Sequence, residues 1–245
     1  MRRILEVCCG DTESVMAAKD GGADRVELCC ALGEGGLTPS YGQVQMAMTA
    51  GIPVNVLIRP RRGDFNYSPA DVRTMTGDIV MANTLGVNGV VVGALTPDGD
   101  IDVETVQALI EEADGMQLTF HRAFDLCRDS QEALETLIEL GFDNVLTSGL
   151  RPNALEGVGN LARLVEQARG RINIMAGCGV TPGNVAEIIR ISGISSIHST
   201  CSGMVESGMR YRRQDVNMGN EEDEYRRKTT DEECVRRLRE IIDSI

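Results

Sequence analysis

Two short stretches of the chain repeat one chemically reactive pattern. ILEVCCGD near the N-terminus and RVELCCAL shortly after it both carry Glu-x-Cys-Cys at the end of an apolar run. Carboxylates and thiols at strand ends can bind a metal ion, transfer protons or simply fill space. If the two strands are neighbours, Glu6 and Glu27 lie close together, and so do Cys8 and Cys29. The chemistry therefore depends on the elements that carry these stretches.

Apolar runs of strand length recur along the chain, and a segment with helical periodicity follows most of them. The predicted strands are 4–8, 24–29, 54–59, 89–93, 117–122, 144–148, 172–177 and 195–199. Helix starts are predicted where Ser or Thr precedes proline, and helix ends at glycine. The predicted starts are Thr38-Pro39, Ser68-Pro69 and Thr181-Pro182, and the predicted ends are Gly86, Gly141 and Gly193.

Repeated strand–helix units indicate parallel strands joined by helical crossovers. Eight units in 245 residues match the size of one closed (β/α)8 barrel, the TIM barrel. We therefore predict a single barrel domain over residues 1–245. A doubly wound open sheet is the alternative.

In such a barrel, functional residues gather at the carboxyl ends of the strands, which form its mouth. Side chains alternate between the two faces of a strand, so we assign the aliphatic positions to the helix side and the remaining ones to the interior. This places a polar ring at the mouth: Glu6, Glu27, Arg59, His121, Ser148 and His198. Burying so many ionisable groups is costly unless they pair or bind a ligand. The ring predicts a functional site, with structural ion pairs as the alternative.

One interpretation of the ring is enzymatic. Two nearby carboxylates, Glu6 and Glu27, push one pKa up and provide an acid and a base in one site. We expect Arg59 to clamp a substrate carboxylate or phosphate, and His121 to act as general acid or base. Asp125, in the motif HRAFD, is expected to orient a ring or to pair with an arginine. These five residues form the predicted catalytic set.

A second interpretation is a metal site. Cys8 and Cys29 would point inward from adjacent strands, which lie about 4.8 Å apart. Cu(I) prefers soft thiolate ligands, so this pair is the predicted copper site. Against copper, the chain has no Cys-x-x-Cys motif and its methionines form no cluster. A divalent ion held by the two glutamates and the two histidines of the ring is a further alternative.

Glycine-rich turns follow the seventh and eighth predicted strands, in AGCGVTPGN and HSTCSG. Barrels often bind phosphate between these two loops, because glycine allows close backbone approach and a helix start favours anions. The predicted anion-binding residues are Ser148, Gly177, Gly179, His198 and Ser199. A turn without a ligand is the alternative.

Two loops are expected at the mouth. RPRRGDFNYS, at 59–68, mixes arginine, Asp and aromatic residues and is expected to form a lid or a ligand wall. The segment at about 199–229 is long for a barrel loop, and such loops are usually functional or disordered. Its first part, GMRYRRQDV, is expected to fold over the mouth with Arg210 and Arg212, and its second part, GNEEDEYRRK, to be solvated. TTDEECVRRLREIIDSI is predicted as the eighth helix.

The composition of the chain narrows the classes of partner that we expect it to bind. The formal net charge of −13 argues against nucleic acid or an anionic membrane as the main partner. No run approaches the roughly 18 apolar residues of a membrane span, and the N-terminus shows no signal-peptide pattern. We therefore expect a cytoplasmic protein whose eight cysteines are mostly reduced thiols.

Longer motifs resemble those of a known family. GGADRVELCCALGEGGLTPS, VLIRPRRGDFNYS, TFHRAFD, NVLTSG, IMAGCGV and SGMRYR together resemble the CutC family, which is named for copper homeostasis. The resemblance runs from the first strand to about Tyr211. It implies a (β/α)8 barrel, a cytoplasmic location, a homo-oligomer (dimer or tetramer) and copper as the ligand.

Two residues depart from the family pattern. Arg62 stands where the family more often has Gly, and Cys178 stands where a small residue is usual. The extra charge could alter ligand choice, and the extra thiol could add a reactive group at the mouth.

Three functional hypotheses follow. The chain is a copper homeostasis protein that binds Cu(I) through thiols. Alternatively, it is an enzyme that acts on a small anionic substrate, phosphorylated or carboxylated. In the third hypothesis it is a scaffold that keeps the polar ring as a structural network.

Overall fold

The computed structural model describes residues 2–213, 215–216 and 224–245, and its centre is a closed barrel of eight parallel strands in chain order. The strands are β1 Ile4–Cys9, β2 Arg25–Leu28, β3 Val54–Leu57, β4 Gly89–Val92, β5 Gln117–Phe120, β6 Asn144–Thr147, β7 Asn173–Ala176 and β8 Ser196–Ser199. The last strand pairs with the first, and this closes the barrel. The prediction of a (β/α)8 barrel is therefore confirmed, and the alternative of an open sheet is wrong.

Eight helices surround the strands in the part of the chain that the structure describes. They are α1 Thr12–Asp20, α2 Tyr41–Met48, α3 Pro69–Thr84, α4 Val103–Glu112, α5 Ser130–Glu139, α6 Val158–Ala168, α7 Val185–Ser192 and α8 Glu232–Ser244. Short 3₁₀ helices occupy Leu32–Glu34 and Arg122–Leu126. None of the described helices is long and apolar enough to cross a membrane.

The helix-start signals are confirmed at one of three places. Ser68 caps α3, where its hydroxyl accepts a hydrogen bond from the backbone N–H of Asp71. The starts predicted at Thr38-Pro39 and Thr181-Pro182 are wrong by a few residues. Ser40 is the N-cap of α2 and Asn184 is the N-cap of α7, because each proline lies in the turn that leads to the helix rather than in its first turn.

Buried apolar side chains form two separate clusters. The large one lies between the strands and the helices and includes Leu5, Val7 and Cys9 of β1. The small one consists of Cys8, Cys29, Leu57 and Val91, with Leu32 packed against it. Successive β1 residues thus belong to opposite faces, as the alternation of a strand requires.

A polar network fills the barrel interior below the mouth. Arg25 donates hydrogen bonds to Glu6, to Gln117 and to Asn144. Asn55 donates a further bond to Glu6. The network lies two residues along the strands below Cys8 and Glu27, because Glu6 is in register with Arg25, and Cys8 is in register with Glu27.

The long segment after β8 is partly ordered as a hairpin. Strands β9 Ser202–Glu206 and β10 Arg226–Thr230 pair antiparallel, and the hairpin is tied to α1 where Ser14 accepts a hydrogen bond from Thr230 N–H. None of its described residues lines the cavity at the mouth, so the expected cover by Arg210 and Arg212 is not observed. Residues 219–223 of GNEEDEYRRK lie outside the described residues, and the end of this stretch forms the first part of β10.

Candidate functional site

A cavity of about 570 Å³ opens at the carboxyl ends of the strands. The predicted site residues divide into two groups around it. Those that line it are Cys8, Glu27, Arg59, His121, Asp125, Gly179, His198 and Ser199. Those that do not line it are Glu6, Cys29, Ser148 and Gly177. The cavity wall is completed by apolar side chains, among them Leu32, Leu57, Phe65, Leu146 and Val180.

Glu6 lies below the cavity and is fully buried. Its carboxylate accepts hydrogen bonds from Arg25 Nε and Asn55 Nδ2, and its Oε1 lies 2.9 Å from Nδ1 of His198. Burial alone would raise the pKa of Glu6, but the hydrogen bond with His198 and the charge of Arg25 outweigh it and lower the pKa to about 2. Glu6 is thus an ionised anchor for three side chains.

Glu27 has the opposite electrostatic setting. Burial raises its pKa; the charge of His198 opposes this shift, and the charge of Glu6 adds to it. Cys8 donates to its Oε1 at 3.3 Å, while its Oε2 is buried without a hydrogen-bond partner among the described residues. The two carboxylates therefore have separated pKa values, and Glu27 is the one that faces the cavity.

The two thiols of the repeated motif are in contact. Cys8 Sγ and Cys29 Sγ are 3.7 Å apart, and both side chains belong to the small apolar cluster inside the barrel. The hydrogen bond with Cys29, burial and the charge of Glu27 raise the pKa of Cys8 well above its ordinary value. At neutral pH Cys8 therefore carries its proton, which a soft metal ion would have to displace.

Cys8, Glu27 and His198 also form a cluster of potential metal ligands, with one ligand atom from each within 4.8 Å of the others. Burial would lower the pKa of His198, but the charge of Glu27 and the hydrogen bond with Glu6 outweigh it, and the pKa is raised. His198 was predicted among the anion-binding residues. The structure places it beside the thiol and carboxylate of the first two strands, and anion binding by His198 remains a prediction.

His121 is a buried, neutral histidine. Its ring lies 4.8 Å from the Phe65 ring, centroid to centroid. Burial, together with the positive charge of Arg59, lowers the pKa of His121 to about 3. Its Nδ1 accepts a hydrogen bond of 3.2 Å from the backbone N–H of Ala123. Its Nε2 is buried and has no hydrogen-bond partner in the described parts of the chain.

Arg59 holds two loops together at the mouth. Its Nη1 donates to the carbonyl oxygens of Glu34 and Gly36, at 2.9 Å each, and its Nη2 donates to that of Gly63 at 3.0 Å. Its guanidinium carbon lies 5.2 Å from the centre of the Phe65 ring. The terminal nitrogens expected to clamp an anion are thus engaged with backbone carbonyls. The clamp remains a prediction, and Arg59 contributes its positive charge to the cavity in either case.

Asp125 ties the loops after β5 and β6 together. Its carboxylate accepts hydrogen bonds from Thr147 Oγ1, from the backbone N–H groups of Ser148 and Leu150, and from Ser148 Oγ. It also pairs with Arg122 Nε at 2.8 Å. The expected pairing with an arginine is present. The catalytic role predicted for Asp125 remains untested, and Ser148 takes part in this tie rather than in the cavity wall.

In the turns after β7 and β8, the backbone lies close to residues of neighbouring segments. A Cβ on Gly177 would lie 2.5 Å from Leu146 Cδ1 and 3.4 Å from His198 Cβ, so glycine makes room for the neighbouring strands. Gly179 adopts a positive φ of 73°, and Ser199 Oγ donates to the Val180 carbonyl at 2.7 Å. Anion binding by these turns remains a prediction.

The residues that depart from the family pattern lie at the mouth. Cys178 is half-buried, lines the cavity and contacts the Pro152 carbonyl at 3.2 Å. Arg62 is exposed and lies 3.5 Å from Glu34. Only the thiol is in the cavity wall.

One feature of this site was absent from the sequence-based prediction, and a second was predicted only as shared membership of the polar ring. Arg25, which anchors Glu6, shares the inward alternation assigned to Glu27, so the pattern could have found it. The contact between His198 and the first two strands could be found only from the closure of the barrel, which puts His198 in register with Glu6.

Comparison with known proteins gives a consistent result. The model of the CutC family matches residues 3–203. A CutC family protein of Bacteroides fragilis is 47% identical over 99% of this chain and 97% of its own length. The human copper homeostasis protein cutC homolog is 46% identical over 99% of this chain and 90% of its own length.

A solved structure agrees. The copper homeostasis protein CutC from Streptococcus agalactiae superposes with a TM-score of 0.78 at 35% identity, covering 81% of this chain and 98% of that protein. Together, the barrel, the repeated Glu-x-Cys-Cys strand ends and these matches show that the chain belongs to the CutC family.

Proposed function

We propose that this chain binds Cu(I) through Cys8 and Cys29 and serves copper homeostasis in the cytoplasm. The observation that carries the proposal is the 3.7 Å separation of the two sulfur atoms inside the barrel. Metal–thiolate bonds of about 2.3 Å, as in zinc sites, meeting at a trigonal angle, separate the sulfurs by about 4 Å. The pair therefore needs little movement to hold one ion.

The chemistry of the donors supports Cu(I) over harder ions. Two sulfur ligands favour a soft ion, and their neighbours Glu27 and His198 lie within 4.8 Å of Cys8 as potential third ligands. Copper homeostasis appears in the names of relatives and is a property of those proteins. A role in copper homeostasis for this chain is consistent with those names.

Anaerobic titration with Cu(I) against a competing chelator tests the proposal. The wild-type chain is expected to bind one ion tightly, and Cys8→Ser/Cys29→Ser to lose that site. Cys30→Ser is the matched control, because Cys30 is adjacent in sequence but its thiol contacts the Thr38 carbonyl instead. Binding that survives the double variant would refute the thiol site.

A second candidate function is catalysis on a small anionic substrate, phosphorylated or carboxylated. It is favoured by three buried polar atoms without partners in the described structure, Glu27 Oε2, Arg59 Nε and His121 Nε2, whose side chains line one cavity. Unsatisfied buried groups are rare in native proteins and call for an explanation such as a ligand. A thermal-shift screen of such metabolites, with Glu27→Gln as the comparison, tests this candidate.

We also expect the chain to self-associate, as a dimer or tetramer, as the family resemblance implies. Sedimentation equilibrium over a range of concentrations tests this expectation. A mass that stays at 26.5 kDa would contradict it.

A further inference from the structure

The hydrogen-bonding state of His121 follows from its contacts. The Ala123 N–H donates to Nδ1, so Nδ1 serves as an acceptor and carries no proton. The pKa of His121 is lowered to about 3, and the ring is therefore neutral at neutral pH. A neutral imidazole holds one proton, which must be on Nε2. His121 thus presents an N–H donor, and not a base, at Nε2.

That donor lacks an acceptor. Nε2 is buried and unpaired among the residues that the structure describes, and the side chain lines the cavity. Leaving a buried donor unpaired is energetically unfavourable. The ring is fixed by Ala123 on one side and by Phe65 on another, so it is not positioned to turn toward a different partner.

The charges around His121 indicate which kind of ligand atom its Nε2–H can bind. The charge of Arg59 is close enough to His121 to help lower its pKa, and the guanidinium is held in place by three backbone carbonyls. An N–H donor beside a fixed positive charge complements an oxygen with partial negative charge. A second cation would be repelled. A neutral histidine that donates to a substrate carbonyl is a known arrangement in isomerases.

Glu27 supplies a second recognition point. Its unpaired Oε2 faces the same cavity from β2, three strands away from β5, which precedes His121. A carboxyl oxygen in this position accepts a hydrogen bond from a hydroxyl group. Among the unpaired atoms of the cavity lining, His121 Nε2 and Arg59 Nε are donors and Glu27 Oε2 is an acceptor. This set fits a ligand with an acceptor at one end and a donor at the other.

We propose that the cavity binds a small hydroxycarbonyl compound, whose carbonyl oxygen accepts from His121 Nε2–H and whose hydroxyl group donates to Glu27 Oε2. The inference rests on the second candidate function, and it names the part of the substrate that lies between these two residues. It requires no metal ion at the thiol pair, and Cys8 takes part only through its hydrogen bond to Glu27 Oε1.

Nuclear magnetic resonance of the chain labelled with ¹⁵N-histidine tests the first half. The chain has two histidines, and His121→Gln assigns their signals by removing one set. At neutral pH, we expect His121 to show a protonated Nε2 and an unprotonated Nδ1. The opposite tautomer, or an imidazolium, would overturn the proposal.

Titration with three matched probes tests the ligand class. Dihydroxyacetone has the carbonyl and hydroxyl groups, glycerol lacks the carbonyl, and acetone lacks the hydroxyls. We expect saturable shifts of the His121 Nε2 signal with dihydroxyacetone, weaker ones with acetone, and none with glycerol. Equal effects of dihydroxyacetone and glycerol, or none from any probe, would overturn the proposal.

Two substitutions of His121 separate the donor from the ring. Ligand-observed NMR is the readout, because the histidine signal is lost. His121→Phe keeps an aromatic ring beside Phe65 but no donor, and is expected to weaken dihydroxyacetone binding about tenfold, or about 1.4 kcal/mol. His121→Gln keeps an N–H donor and is expected to bind more tightly than His121→Phe. Equal binding by wild type and His121→Phe would contradict the proposal.

The same experiments distinguish this inference from the proposed functions. Dihydroxyacetone binding is measured on the wild-type chain without copper, so its outcome does not depend on the result with Cu(I). If the probe binds at His121 but no metabolite is turned over, catalysis fails and the binding site stands. If a metabolite is turned over and His121→Phe has no effect on its KM or kcat, the binding site fails and catalysis stands.

Discussion

Glu6 and His198 are joined across the seam where the barrel closes. The two residues are in register between the first and the last strand, and Glu6 Oε1 lies 2.9 Å from His198 Nδ1. A carboxylate on Nδ1 fixes the orientation of an imidazole ring and leaves Nε2 for other partners. Glu6 therefore acts on the cavity by contact through His198 and by its charge on Glu27, and its other hydrogen bonds join it to Arg25 and Asn55.

Substitution of Glu6 is expected to destabilise the barrel. Glu6→Gln leaves the buried guanidinium of Arg25 without its counter-charge, and breaking such a pair costs about 3–5 kcal/mol. Urea denaturation measures the free energy of unfolding. The control is the double variant Glu6→Gln/Arg25→Met, which removes both charges and is expected to lose less than Glu6→Gln alone. A larger loss in the double variant would show that the ion pair is not the source of the effect.

The ligands of Cu(I) are expected to contribute unequally. Cys29→Ser removes one of two sulfur donors and should lower Cu(I) affinity at least about 100-fold, because the remaining site is no longer a soft one. His198→Gln removes only a neighbouring nitrogen and should lower it by about tenfold or less. Competition with a Cu(I) chelator measures both constants. A greater effect of His198→Gln would place the ion in the Cys8–Glu27–His198 cluster instead.

Burial of neutral His121 is expected to make the chain less stable in acid. The unfolded chain binds a proton on this residue near pH 6.5, whereas the folded chain does so only near pH 3. The unfolded state thus binds more protons between these values. Stability from His121 is complete above pH 6.5 and is lost as pH falls toward 3, by at most about 1.4 kcal/mol per pH unit.

The variant His121→Gln isolates this effect, since it has no titrating group at this position. The difference in free energy of unfolding between wild type and His121→Gln, measured by urea denaturation at several pH values, should shift against the wild type as pH falls from 6.5 to 3. A difference that does not change with pH would mean that His121 is not buried as a neutral ring.

Substitution of Asp125 is expected to lower the stability of the chain without changing its affinity for Cu(I). Asp125→Asn weakens the hydrogen bonds that tie the loops after β5 and β6, and hydrogen bonds to a charged group contribute about 1.5–3 kcal/mol. We expect a loss of this order in thermal and urea unfolding with Cu(I) affinity unchanged. If Asp125→Asn abolishes turnover of a metabolite while the stability stays the same, the predicted catalytic role is supported instead.

Two glycines near the start of α6 provide a matched test of packing. A Cβ on Gly157 would lie 1.8 Å from the Ser148 carbonyl oxygen, whereas one on Gly159 meets nothing within 4 Å. Gly157→Ala is expected to cost about 3 kcal/mol through backbone displacement. Gly159→Ala, inside the helix, is expected to gain up to about 1 kcal/mol. Similar effects of the two substitutions on the midpoint of urea unfolding would contradict the close approach.

The architecture could be predicted because its signals are local. Each strand is a short apolar run, and Ser68 before proline or glycine after a helix marks a boundary through its own backbone preferences. The alternation within β1 likewise separates Glu6 and Cys8 from Leu5 and Val7. These properties depend on neighbours in sequence, so they survive without knowledge of the rest of the molecule.

The arrangement of the site depends on contacts between distant segments. The height of His198 relative to Glu6 is set by the register of the closing strands, which no local pattern encodes. The same holds for Arg59, whose terminal nitrogens contact carbonyls of two loops, and for the hairpin of β9 and β10, whose partner strands are separated by about twenty residues. Sequence reasoning identified the residue types but not their partners.

The junction between β1 and β8, where the barrel closes, has a consequence during synthesis of the chain. During synthesis, both thiols and Glu27 leave the ribosome long before His198, because they belong to the first two strands and His198 to the last. A nascent chain thus exposes its soft ligands before the carboxylate–imidazole pair exists. A ligand bound by both Cys8 and His198 would link the first and last strands. It would therefore stabilise the barrel at the junction between these strands, which is the last junction that synthesis allows to form.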